Sequence, residues 1–215
     1  MKKIAIFGAG GFGREVQMLI DHINLSVNEW SLIGFFDDGI SKGIVINEIP
    51  VLGGMTELNC WADEIYVVFA IGNPITKKKI VSSINNEKIK YPVLIHPNVI
   101  IGNNKYVKIG QGSIICAGVI ITVNIDIGEH VILNLSCTVG HDTIIGNYSS
   151  FMPTVNISGE VIIKDCVYVG TGAKIINQLE IGENTIIGAG ALVAKKLPAN
   201  CTAVGLPAKP VKFHS

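Results

Sequence analysis

The sequence predicts an α/β module over residues 1–92 followed by an all-β parallel β-helix over residues 93–215. Three observations predict this. From Ile109 to Val193 every sixth residue is aliphatic or Phe. Residues 1–90 lack that period. A glycine-rich loop, Gly8-Ala9-Gly10-Gly11-Phe12-Gly13, separates an apolar run from an amphipathic stretch near the N-terminus.

Residues 2–7 read as a buried strand, and residues 14–23 as a helix whose apolar face is Val16, Leu19, Ile20 and Ile23. Together they form a βα unit. A second strand at 31–36 ends in Asp37-Asp38, and Val51-Leu52-Gly53-Gly54 reads as a turn before residues 55–58. A third strand at 65–71 runs into Gly72-Asn73-Pro74, and a helix follows to about Asn85, with Pro74 in its first turn. Residues 91–102 read as the linker and entry into the β-helix, with His96-Pro97 at the join.

The hexad series is Ile109, Ile115, Ile121, Ile127, Leu133, Val139, Ile145, Phe151, Ile157, Ile163, Val169, Ile175, Ile181, Ile187 and Val193. In a chain that is 48% hydrophobic, such a run arises by chance in roughly one sequence in 10⁴. A period of six is neither helical nor a plain strand alternation. It fits short strands stacking coil on coil, three hexads to an 18-residue triangular coil and about five coils in the tract. Seven of the aliphatic residues precede a glycine (Gly110, Gly128, Gly140, Gly146, Gly170, Gly182, Gly188), and these glycines are expected to turn the corners.

Lys plus Arg and Asp plus Glu are both 17, which gives no excess charge for nucleic acid or an anionic membrane surface. Only 16% of residues are charged and mean hydropathy is +0.46, so part of the apolar surface is expected in a subunit interface. The five cysteines (Cys60, Cys116, Cys137, Cys166, Cys201) show no CxxC and read as reduced core residues; no metal site is indicated. No stretch approaches the ~18 apolar residues of a membrane span, and a cytoplasmic protein is expected.

Gly8, Gly10 and Gly13 match GxGxxG after a strand and before a helix, with Asp37 and Asp38 29 and 30 residues after Gly8. There the backbone can approach a phosphate at a helix N-terminus; a tight turn without a ligand is the alternative. Three strands supply one mononucleotide half of a Rossmann unit, so a single nucleotide carried by a sugar fits better than NAD. The candidate acceptor contacts are Gly8, Gly10, Gly11, Gly13, Asp37 and Asp38, with Gly72 and Asn73 at the end of the third strand.

Among the five histidines, His22 and His214 read as solvated and His96 as structural. His130, two residues past Gly128, has no acid after it and is a weaker candidate than His141. His141 follows an aliphatic-Gly corner and precedes Asp142, and one coil later its position is Gly159, an empty slot beside the ring. A solvated surface histidine is the alternative.

At these residues the chain resembles a known family. The half-Rossmann module, the hexads, Asn134 through His141-Asp142, residues 153–159, residues 188–193 and Gly205-Leu206-Pro207-Ala208-Lys209 resemble the bacterial sugar acetyltransferases of the NeuD type, over essentially the whole chain. The resemblance implies a left-handed β-helix, a homotrimer, and acetyl-CoA in the cleft between neighbouring β-helices. It implies His141 as general base, Asp142 as its orienting acid and Asn134 as a residue that places the reacting groups. The acceptor would be a nucleotide-linked amino sugar, most simply a 4-amino-4,6-dideoxy sugar; a sugar hydroxyl, as in sialic acid, is the first alternative and a non-catalytic sugar-nucleotide-binding partner the second. Acetyl-CoA would meet Ser150, Gly159, Thr171 and Ala189, with Lys195, Lys196 and Lys209 near its phosphates. Many relatives carry histidine where Ser150 stands. A γ-class carbonic anhydrase shares the β-helix but needs three zinc-binding histidines, and the repeat tract holds only His130 and His141.

Overall fold

The structure, a computed structural model, describes residues 1–214; Ser215, the last residue of the expected second domain, lies outside the described residues. The N-terminal module runs β1 (Lys2–Phe7), α1 (Gly11–Val27), β2 (Trp30–Phe36), β3 (Val45–Ile46), β4 (Ile49–Gly53), α2 (Met55–Asn59), β5 (Ile65–Phe69), α3 (Pro74–Ser82) and β6 (Ile89–Lys90). Its sheet is ordered β3-β4-β2-β1-β5-β6, parallel except at the β3 edge. The apolar stripe of α1 lies against β1, as the 3.6-residue period requires.

The segment ending in Gly53-Gly54 departs from the expected turn: it is strand β4, entered through a tight hairpin at Asn47 and Glu48, both at positive φ. Pro50 argues against a central strand in sequence. It is tolerated because its neighbour β3 is a two-residue edge strand.

The β-helix begins at Leu94–Ile95, two strands before the readable repeat and inside the stretch expected as linker and entry. Between Ile101 and Ile109 the chain inserts a 3₁₀ turn at Asn104–Tyr106, which breaks the hexad and hides these two strands from the periodicity. Three parallel sheets form a triangle. The first face stacks strands from Leu94–Ile95 to Cys201–Val204, the second from Ile100–Ile101 to Leu192–Val193, and the third from Val107–Ile109 to Glu180–Ile181. From Ile115 onward the hexad residues fill the interior, none more than 3% exposed. Each such burial contributes about 1.5–3 kcal/mol.

The corners are not turned by the glycines that follow the aliphatic residues. The left-handed conformation recurs every six residues, two positions after those glycines, at residues as different as Asn124, His130, Ser136, Asp142, Tyr148 and Thr154. Gly110 and Gly140 are small for another reason: a Cβ there would lie 2.5–2.6 Å from backbone atoms of the next coil. They permit close stacking of coils and do not supply a special φ.

The module and the β-helix share one hydrophobic cluster, in which Val16, Leu19 and Ile20 of α1 join Leu94, Ile114 and Ile132 of the first face. His22 is not simply solvated: its Nδ1 lies 2.8 Å from His96 Nε2 across this junction. His214 likewise bonds Thr202 Oγ1 at 3.0 Å. Four cysteines are buried, while Cys60 is exposed. Among the described residues no helix is long and apolar enough to cross a membrane, and no group of three or more His, Cys, Asp or Glu could hold a metal ion.

Candidate active site

The glycine loop crosses the carboxyl edge of the sheet. Gly8 has φ +103°, and its Cβ would meet Ile71 and the Ala70 carbonyl, so only glycine fits without strain. A Cβ on Gly13 would lie 2.0 Å from the Gly8 carbonyl oxygen, which makes this glycine the point of closest approach between α1 and the loop. Gly10, Gly11 and Gly72 have open space on the Cβ side. Gly10 is the N-cap of α1, with no side chain closing the helix terminus, so its free N–H groups face that opening.

The acids brace this loop. Asp37 Oδ2 accepts the Ala9 N–H at 2.8 Å and its Oδ1 the Gly39 N–H at 2.9 Å, while Asp38 Oδ1 accepts the Met55 N–H at 2.7 Å. Asn73 Oδ1 caps α3 through the Thr76 N–H. These three side chains therefore hold the rim in shape, and each keeps lone pairs or donors for a ligand.

His141 and Asp142 stand at the corner between the second and third faces, across the triangle from the face that carries the N-terminal module. Both side chains are about half exposed. His141 Nδ1 lies 2.8 Å from Asp142 Oδ2. Asp142 is held well below the usual carboxylate range, first by a hydrogen bond from Asn124 and then by the one from His141. An ionised Asp142 can only accept, so in the neutral ring Nδ1 carries the proton and Nε2 presents a lone pair. That Nε2 lies over Gly159, where a Cβ would come within 2.4 Å of it. The ring occupies the slot that the missing side chain leaves.

Asn134 is not brought to His141. It is buried at the preceding corner, between the first and second faces, and its Oδ1 accepts the Leu135 N–H at 2.7 Å. Thr171 and Ala189 follow at the same corner in later coils. Gly159 shares the His141 corner, as do Lys195 and Lys196 three coils on, since Ile175 pairs with Val193. At about 4.8 Å per coil, Lys195 stands roughly 14 Å from His141 along the helix axis. Lys209 lies apart on the C-terminal hairpin, paired with Val204.

Ser150 departs from the expected acetyl-CoA contact. It is fully buried on the first face beneath α3, and its Oγ accepts from Lys77 Nζ at 2.9 Å. Nothing in the sequence marks this pair, whose members are 73 residues apart. Asn124, also missed, had a readable signal: it precedes Asp142 by one 18-residue coil.

A half-Rossmann module on a hexapeptide β-helix that displays a His-Asp pair defines an acyltransferase of the left-handed β-helix class. Comparison with known proteins narrows the class. Residues 3–84 match the PglD N-terminal domain. The chain is 34% identical to GDP-perosamine N-acetyltransferase of Escherichia coli O157:H7, over 99% of this chain and 97% of that protein. It superposes on the acetyltransferase domain of PglB from Neisseria gonorrhoeae with a TM-score of 0.89 at 30% identity, covering 98% of this chain and 100% of that one. A structure of perosamine N-acetyltransferase from Caulobacter crescentus, an H141N mutant with CoA and GDP-perosamine, gives 0.87 at 25% identity over 99% and 98% of the two chains. The chain belongs to the NeuD-type family of bacterial sugar acetyltransferases.

Proposed function

We propose that the protein transfers the acetyl group of acetyl-CoA to the amino group of a nucleotide-linked 4-amino-4,6-dideoxy sugar, with His141 as general base. The observation that carries this reading is the exposed His141-Asp142 pair with Nε2 aimed over Gly159. The acceptor nitrogen attacks the thioester carbonyl and must shed a proton as the C–N bond forms. His141 Nε2 takes that proton; collapse of the tetrahedral intermediate breaks the C–S bond, and the departing thiolate recovers a proton from the imidazolium. Ser158 and Glu160 donate their N–H groups to the Ile175 and His141 carbonyls, and the Gly159 N–H between them is the candidate donor to the oxyanion.

The acceptor binds at the glycine loop, where the open N-terminus of α1 suits a diphosphate. Acetyl-CoA lies along the His141 corner with its phosphates toward Lys195 and Lys196, and Thr171 and Ala189 contact it from a neighbouring copy. This loop and His141 lie on opposite sides of one β-helix, so a single chain cannot bring acceptor and base together. A homotrimer resolves that separation. Its support is the apolar surface flanking the His141 corner: Ile100 and Ile120 on the second face, Ile144 and Ile162 on the third, each more than a third exposed. In such an assembly Asn134 serves a His141 only across a subunit contact.

The test is thiol release from acetyl-CoA, followed by ultraviolet difference, with GDP-, UDP- and dTDP-linked amino sugars and His141→Ala as control. GDP-perosamine, named for the E. coli relative and bound in the C. crescentus structure, is the first acceptor to try. Release with an amino sugar that disappears in the variant supports the reading. Release only with sugar hydroxyls overturns the acceptor, and unchanged release in the variant overturns the base.

A further inference from the structure

Asp142 does not hold His141 unaided. Asn124 occupies the same corner position one coil earlier, and both residues have φ 57°. The Asn124 Nδ2 donates to Asp142 Oδ1 at 2.9 Å, leaving Oδ2 for His141 Nδ1 at 2.8 Å. The three side chains form one line, amide to carboxylate to imidazole, along the edge of the β-helix.

We propose that Asn124 is a positioning residue for the proton transfer, its side-chain amide holding one carboxylate oxygen of Asp142 so that the other fixes the ring of His141. This rests on the general-base reading of His141. Asp142 and His141 are each about half exposed, and a carboxylate with one tether in water rotates freely about two bonds. A second tether on the opposite oxygen removes that freedom. The backbone does not require asparagine: aspartate, glutamate and glutamine take the same left-handed conformation at this position in other coils, and serine, tyrosine, threonine and cysteine take it at the equivalent position of the other corners. The amide, and not the turn, is what Asn124 contributes.

The charges around the pair fit this role. One coil beyond Asp142 the same column holds Glu160, a second carboxylate, and one further holds Gln178. Gln178 Nε2 donates to both oxygens of Glu160, at 3.4 and 3.2 Å. The column therefore reads amide, carboxylate, carboxylate, amide, and each carboxylate is bonded on the side away from the other. Lys105, Lys108 and Asp126 line the shallow recess of about 430 Å³ beside Asn124 and Asp142 and complete the charged surroundings. The Asn124 hydrogen bond is also the first cause that lowers the Asp142 pKa, and an ionised Asp142 places the proton of the neutral imidazole on Nδ1, leaving Nε2 to accept one.

The test uses the full chain with the amino-sugar acceptor that gives turnover, and compares Asn124→Gly, Asn124→Asp and His141→Asn. Asn124→Gly keeps the left-handed backbone and removes the amide. It is expected to lower kcat about five- to tenfold, with KM for acetyl-CoA and the thermal midpoint unchanged. Asn124→Asp adds a negative charge beside the pair, stabilises the imidazolium, and moves the acidic limb of the kcat/KM profile up by about half a pH unit. Turnover that survives in His141→Asn overturns the base and this inference with it. Turnover lost in His141→Asn, with wild-type kcat and an unmoved profile in both Asn124 variants, overturns the positioning role alone. A loss that tracks KM for acetyl-CoA or the thermal midpoint also overturns it, because that is what plain support of the corner would give.

Discussion

At one corner of the β-helix His130 lies under the N-terminal module; at the corner across the triangle His141 faces solvent. The backbone is the same at both, a left-handed residue every six, but His130 occupies that left-handed position and His141 precedes it. His130 is 2% exposed and stacks on Tyr148 at 5.3 Å, with Phe69 and Tyr91 at its edges. Its Nδ1 has no partner among the described residues, and burial pushes its pKa down to about 4. Beside it Lys77 is wholly enclosed, bonded only to a neutral hydroxyl, and burial pushes it down to about 7. His141 instead has an anion on one nitrogen and the Gly159 backbone beneath the other, with the ring half exposed. What covers a corner, and not the spacing of its histidine, decides whether the ring acts as packing or as a base.

The comparison can be broken most sharply at His141. His141→Ala is expected to lower turnover roughly 10²- to 10⁴-fold, while the thermal midpoint holds because the ring is half exposed. Measuring both quantities on one preparation checks it.

The covered corner should show the reverse, an effect on stability that depends on pH. Lys77 titrates near 7 when folded and near 10.5 when unfolded, so between those values the unfolded chain binds more protons and stability rises with pH. The slope approaches about 1.4 kcal/mol per pH unit. Buried Cys116 and Cys137, pushed up to about 12, act in the opposite sense above the ordinary thiol range. Denaturant midpoints of the wild type minus those of Lys77→Met isolate the lysine; a difference that stays flat from pH 7 to 9 would refute its burial in the charged-to-neutral switch.

A smaller effect follows at His130. Its folded value lies below its ordinary 6.5, so stability is lost as pH falls from about 6.5 toward 4. His130→Asn keeps the left-handed backbone, removes the titration, and should flatten that part of the acid unfolding curve. The smallest expected effect is in binding. Gly10→Val meets no atom within 4 Å, so the module should fold, and KM for the acceptor should rise about tenfold with KM for acetyl-CoA unchanged. Gly13→Ala, by contrast, drives a Cβ into the Gly8 carbonyl and should destabilise the module.

The hexads made the β-helix legible because a strict period repeats its signal at every coil, and the His141-Asp142 pair was legible because its members adjoin in sequence. Where the period was interrupted, at Asn104–Tyr106, the first two strands fell outside the readable series. The role given to the post-aliphatic glycines was misread because composition reports a small residue but not whether the backbone or a neighbouring coil demands it. The second site of contact, Lys77 with Ser150, depends on a docking between module and β-helix that no local pattern encodes.

The opposition of glycine loop and His141 across one β-helix has a last consequence. If acceptor and base come from different chains, two crippled proteins should complement each other. His141→Ala and Gly10→Val, unfolded together at equal amounts and reassembled, would leave about one site in four with an intact loop facing an intact histidine. Assayed at low acceptor concentration, where each parent is nearly silent, the mixture should recover activity that neither has alone.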